Sequence, residues 1–182
     1  MNRNTGRLIA VSAAALGIVT GLALSKTKRA ALKASLALAG DWEKQLKAEH
    51  ATIKKLLKAM VDSGLDEAVK RAELLASADE ILTRHGLEEE KVIYPALKSA
   101  GAGDAVDLLY ADHAEMKTLL RAIQELSAED PDWVERASDL RKLFLRHLKT
   151  EEDLFPLLHQ LGDRGRNQAL TTLVRKEAVR VS

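Results

Sequence analysis

The sequence predicts an all-α protein: an up-down four-helix bundle preceded by a single transmembrane helix. Three observations predict it. Long stretches rich in Ala, Leu, Glu, Lys and Arg run almost unbroken by the three prolines, a composition that favours helix. Four of these stretches are amphipathic at helical spacing and are joined by short turn signals, which implies antiparallel neighbours. An uncharged run near the N-terminus stands apart from them. No alternating β-branched run argues for strands. The 182 residues suffice for one domain plus appendages, and 30% charged with 46% hydrophobic residues is an ordinary globular mix. A net charge of +1 gives no global field for nucleic acid, and the absence of cysteine excludes disulfides, thiolate metal sites and cysteine nucleophiles.

Leu8 to Leu24 is uncharged over 17 positions. As a helix it spans about 25 Å, slightly short of a hydrocarbon core of about 30 Å, and Arg7 and Lys26 are placed to snorkel. The run is longer than a usual signal-peptide core, and Ser25 to Arg29 is basic where a cleavage site should lie. It therefore reads as an uncleaved anchor over 1–25, followed by a basic, Ala-rich helical linker over 26–40. Arg3 and Arg7 precede the run, while Lys26, Lys28, Arg29 and Lys33 follow it. That balance predicts a single-pass membrane protein with its bundle on the cytoplasmic side. Gly17 and Gly21 form a G-x-x-x-G pair through which two anchors would pack as a homodimer, although small residues are common in membrane helices.

The bundle occupies 41–162. Asp41 suits an N-cap after Gly40, and the first helix runs from about Asp41 to Asp62. The second runs from about Asp66 to Leu97, the third from about Asp104 to Leu126, and the fourth from about Asp132, after Asp130-Pro131, to Leu161. These segments repeat. E-H-A-T-I-K-K-L-L-K-A-M at Glu49 matches D-H-A-E-M-K-T-L-L-R-A-I at Asp112, 63 residues on. H-G-L-E-E-E-K-V-I-Y-P at His85 matches H-L-K-T-E-E-D-L-F-P at His147, 62 residues on. Two such hairpins predict a pseudo-twofold bundle.

Each helix carries one histidine on its apolar seam: His50 between Leu46 and Ile53, His85 after Ile81, His113 between Leu109 and Met116, and His147 after Phe144. Glu151 follows His147 on the same seam, and Glu88 or Glu89 follows His85. A buried carboxylate needs a partner or a metal. H-x-x-x-E puts both side chains on one helix face. Two such pairs and two single histidines converge as six metal ligands: His50, His85, Glu89, His113, His147 and Glu151. Four imidazoles and two bridging carboxylates suit iron, or manganese, in a dinuclear site. A metal-free polar network would need every partner satisfied. His159 lies off the seam and reads as non-ligating.

His50, His85-x-x-x-Glu89, His113 and His147-x-x-x-Glu151, with the trailing E-E-x-x-x-Y-P and E-E-x-x-F-P, resemble the hemerythrin HHE cation-binding pattern across about Asp41 to Leu161. The resemblance implies a non-haem di-iron site that binds oxygen, or serves iron or oxygen sensing and stress response. Oxygen-carrying members have a further histidine one turn after the third-helix histidine; here Lys117 stands there. Water, Glu88 or a phenol fills the gap. Tyr110, one turn before His113, is expected beside the ligands as a core-edge tyrosine.

The 163–182 segment is basic and reads as a solvated tail, with a short basic helix against an anionic membrane surface as the alternative. The leading functional expectation is a membrane-tethered di-iron protein that binds oxygen, nitric oxide or iron, as sensor, scavenger or store. The alternatives are an enzyme consuming peroxide or oxygen at the same site, and a metal-free helical interaction protein at the membrane. Metal content separates the last from the others, and turnover of peroxide separates the first two.

Overall fold

The computed structural model describes residues 40–160, 162 and 164–180. Among these, helices α1 (Trp42–Val61), α2 (Ala68–Glu88), α3 (Tyr94–Ser99), α4 (Gly103–Glu125), α5 (Asp132–Gln160) and α6 (Arg164–Arg180) carry almost the whole chain. A π-helical turn, Glu89–Ile93, joins α2 to α3, so these three pieces form one continuous second rod. The expected four-helix bundle is α1, this rod, α4 and α5, with α6 added.

Local chemistry sets the ends. The Asp41 side chain accepts from the Lys44 backbone N–H at 3.1 Å and caps α1. The second rod stops in a Schellman arrangement: Ala102 N–H reaches the Leu97 carbonyl and Gly101 N–H the Lys98 carbonyl. Gly101 takes φ 91° there, which favours glycine. Before α5 the Asp130 side chain accepts from Asp132 N–H at 2.8 Å. At the same end of the bundle Arg71 is 1% exposed and ties two loops together. It donates to the Ser63 carbonyl at 3.0 Å and the Ala128 carbonyl at 2.7 Å, and lies 4.9 Å over the Trp133 ring. Replacing Arg71 with Met leaves those carbonyls unpartnered, so a loss of about 2–4 kcal/mol in stability is expected. Denaturant unfolding checks this, with metal content expected to stay as in the parent.

Two apolar clusters fill the bundle. One holds Ile53, Leu57, Met116, Leu120, Trp133, Leu140 and Phe144, and the other holds Trp42, Leu46, Ile93, Tyr94, Leu109, Phe155 and Leu158. Between them lies a buried polar layer of His50, His85, Glu88, Glu89, His113, His147 and Glu151. The apolar ends hold the rods, and the rods hold that layer away from water.

Two expectations need correction. The solvated tail is instead α6, whose Leu170, Val174 and Ala178 recur every fourth residue and are buried. Leu170 and Val174 join the cluster around Trp42. Trp42 N–H donates to Thr171 Oγ1 at 3.1 Å, and the Trp42 indole N–H donates to Asn167 Oδ1. The expected membrane location is also contradicted. Among the described residues no helix is long and apolar enough to cross a membrane, because every rod carries charge along its outer face. The anchor expected at Leu8 to Leu24, the linker of 26–39 and the Gly17/Gly21 dimer contact lie outside the described residues.

Candidate metal centre

The polar layer brings together all six expected ligands. His50, His85, Glu89 and Glu151 present ligand atoms within 4.8 Å of one another; Glu89, His113 and His147 do the same. Glu89 belongs to both groups. Its Oε1 lies 2.7 Å from His85 Nε2 and 3.5 Å from His50 Nε2, while Oε2 lies 3.2 Å from His113 Nε2. One carboxylate thus turns an oxygen toward each histidine pair. Glu151 is placed differently from the expectation that both glutamates bridge: it sits in the first group alone, with Oε2 3.2 Å from His50 Nε2.

Three of the four imidazoles are held from behind by a hydrogen-bonded carboxylate, while His147 Nδ1 has Asp112 nearby but no hydrogen-bond partner among the described residues. Glu152 lies 3.0 Å from His50 Nδ1, Glu49 2.9 Å from His85 Nδ1, Glu90 2.9 Å from His113 Nδ1, and Asp112 3.6 Å from His147 Nδ1. A carboxylate on Nδ1 fixes the ring and leaves Nε2 for the interior, the usual backing of a metal-bound histidine. The four carboxylates obey the internal repeat, Glu49 with Asp112 and Glu90 with Glu152. The E-H/D-H and E-E pairs in the sequence were the signal for them.

Tyr94 was also missed as a site residue. Its hydroxyl lies 3.0 Å from His113 Nε2, 3.4 Å from His147 Nε2 and 3.4 Å from Glu89 Oε2. Tyr94 follows Glu89 by five residues, which a regular α-helix would turn off the face. The π turn restores it: Tyr94 N–H donates to the Glu89 carbonyl, five residues back. The sequence holds the trace of this insertion. Glu89 and Glu151 are 62 apart, but Tyr94 and Phe155 are 61 apart. The extra residue of the second rod is absorbed in the π turn, and Tyr94 takes the place that Phe155 holds in α5.

Glu88, Tyr110 and Lys117, the candidates for a place beside the ligands, offer no atom to the ligand set itself. Glu88 is buried and accepts from Gln45 Nε2 at 2.9 Å. Tyr110 donates to the Glu90 carbonyl at 3.1 Å and meets the Tyr94 ring edge-on. Lys117 is largely exposed, with Nζ 2.9 Å from Glu90 Oε1, so it reaches His113 only through Glu90. His159 pairs with Glu43 at the surface and stacks on Trp42.

Electrostatics follow from this packing. Burial pushes the His50 imidazole down, yet the Glu151 and Glu89 carboxylates outweigh it and raise its pKa to about 9. His113 is likewise raised to about 9 against burial, by Glu89 and Glu90. His85 is raised well above its ordinary value, with burial opposed by Glu89 and Glu49. Glu89, despite burial, is held well below the carboxylate range by the surrounding imidazoles, His85 foremost. Burial and the Glu89 charge lift Glu151 to about 7, and burial lowers His147 to about 4. Glu88 rises to about 8 through burial and the charge of Glu49.

The residues fit a metal. Neither Glu151 oxygen has a well-aligned hydrogen-bond partner, nor does His85 Nε2, and such buried groups are costly unless a further ligand satisfies them. Imidazole nitrogen with carboxylate oxygen is a donor set for first-row divalent ions.

Comparison with known proteins agrees. A Hemerythrin HHE cation binding domain-containing protein from Mycobacterium kansasii has the same fold, with TM-score 0.64, 22% identity and coverage of 78% of this chain and 85% of that one. A DNA nickase from Nostoc sp. is 38% identical over 72 residues, 39% of this chain. The match spans only 20% of the nickase's own length. Residues 43–158 match the family described as Hemerythrin HHE cation binding domain. With that match over most of its length and a buried His/Glu cluster at the centre of the bundle, this chain belongs to the hemerythrin HHE cation-binding family.

Proposed function

We propose that the chain holds a non-haem di-iron centre that takes up a small molecule, oxygen, nitric oxide or peroxide. The observation that carries this is Glu89, whose two oxygens face separate histidine pairs. His50, His85, Glu89 and Glu151 would hold one ion. Glu89, His113, His147 and the Tyr94 hydroxyl would hold the other. Nitrogen, carboxylate and phenol donors suit iron, with manganese the competing ion. Bound iron would supply reversible electron transfer to the small molecule. The chain's own part is to aim four Nε2 atoms, keep water out with its two apolar clusters, and balance charge through the outer carboxylates.

Bound cations must displace protons. Without a competing cation, His50 and His113, raised to about 9, carry protons at neutral pH. Ligation requires neutral imidazole, so metal uptake releases protons and apparent affinity rises with pH up to about 9. Competition with a chelator at several pH values checks this. An affinity that falls as pH rises contradicts it.

The functional test is anaerobic loading with ferrous iron, then addition of nitric oxide or air. An absorption change on each is expected. Tyr94→Phe should retain the iron held by His50 and His85, weaken the other ion, and remove any visible band that arises from a phenol on ferric iron. A loaded protein whose spectrum ignores both nitric oxide and air would contradict the reading.

A further inference from the structure

A cavity of about 40 Å³ opens between α2, α4 and α5. Its floor is His85, His113 and His147, its walls include Leu82, Met116 and Phe144, and Thr83 and Lys117 stand at its exposed mouth. His50, Glu151 and Tyr94 do not line it. His50 is fully buried, with the Phe155 ring stacked at 6.3 Å and Phe144 edge-on. Among the described residues this cavity reaches the centre from the side of α2, α4 and α5, and two of its three floor residues belong to the His113/His147 group.

We infer that this cavity is the access path and binding cleft for an uncharged molecule of two or three heavy atoms, delivered to the ion at His113 and His147. This rests on the di-iron reading above. At roughly 10–15 Å³ of such space per water, the cavity has room for a few waters, which admits a diatomic gas or peroxide. The mostly apolar wall favours a neutral guest. Gly86 lines the same space and gives a second observation. A Cβ added there would sit 3.5 Å from His113 Cε1 and 3.6 Å from Nδ1, in ordinary contact. Alanine would fit and is the better helix residue; glycine leaves the space over the His113 ring open.

The test uses the full chain loaded with ferrous iron, with nitric oxide as probe and stopped-flow absorption as readout. Gly86→Ala narrows the cleft and Thr83→Phe plugs its mouth without changing charge. Each should slow nitric oxide association by about tenfold or more at unchanged iron content, with the Gly86→Ala thermal midpoint equal to the parent's or higher. Rates equal to the parent's in both variants, with iron retained, would overturn the path. Xenon binding, followed by the xenon-129 chemical shift, needs no iron: saturable binding in the parent, reduced by Gly86→Ala, is expected. A parent that takes up no iron overturns the proposed centre, and the path then stands or falls on the xenon result alone.

Discussion

Glu89→Ala is expected to empty both metal positions together, whereas Glu151→Ala is expected to empty mainly the one held by His50 and His85. The difference follows from placement: Glu89 turns one oxygen to each group, and Glu151 reaches only His50. The cost to the protein itself should also be large. Glu89 is fully buried, with His85, His50 and His113 around it. Without its charge, those imidazoles lose the one carboxylate they share and keep only Glu151 and the outer carboxylates against their protons. Removing one partner from a buried charged cluster costs about 3–5 kcal/mol, so the Glu89 variant should unfold well before the Glu151 variant. Metal analysis of both, beside chelator-treated parent, separates lost ligation from lost folding. Equal occupancy losses in both positions for the two variants would contradict the assignment.

The second large effect is expected on chelation. Each ion that binds the folded chain at a free concentration about a thousand times its dissociation constant adds about 4 kcal/mol of stability. For two ions in a domain of this size, chelation should lower the thermal midpoint by more than about 10 °C. Without cations, the pH dependence should also change sense. His50 and His113 titrate near 9 when folded against an ordinary 6.5. The stability that their protonation contributes is complete below about 6.5 and lost as pH rises through about 9. The chelated protein should therefore weaken over that range while the loaded protein gains. Midpoints followed by circular dichroism at several pH values, with and without chelator, check both statements.

Much of this arrangement was legible in the chain. The bundle followed from seams such as Trp133, Ala137, Leu140, Phe144 and His147, because helical spacing and short turns leave few ways to bury such faces. The six ligands were legible because a histidine or glutamate on an apolar seam needs a partner that the seam itself cannot offer. What escaped depended on registers between rods. Tyr94 is off the α-helical face of Glu89 until a π turn shifts it by one residue, and single-helix spacing does not report such a turn. Glu49, Glu90, Asp112 and Glu152 sit at the edges of their own helices and become backing groups only across an interface. The asymmetry between Glu89 and Glu151 likewise needs the third dimension. The α6 stripe was hidden because Leu170, Val174 and Ala178 stand among Arg166, Arg175, Lys176 and Arg180, where composition suggests solvent. The uncharged run at Leu8 to Leu24 misdirected the reading of location. Its near-spanning length and basic flanks suggested an anchor; among the described residues, which do not include this run, no helix is long and apolar enough to cross a membrane.

The most direct test of the central claim, two ions organised about Glu89, is elemental analysis of the full chain purified under anaerobic conditions. The account predicts two iron ions per chain in the parent, retained in His159→Ala and lost in Glu89→Ala. Loss of iron from His159→Ala together with full retention in Glu89→Ala would contradict it.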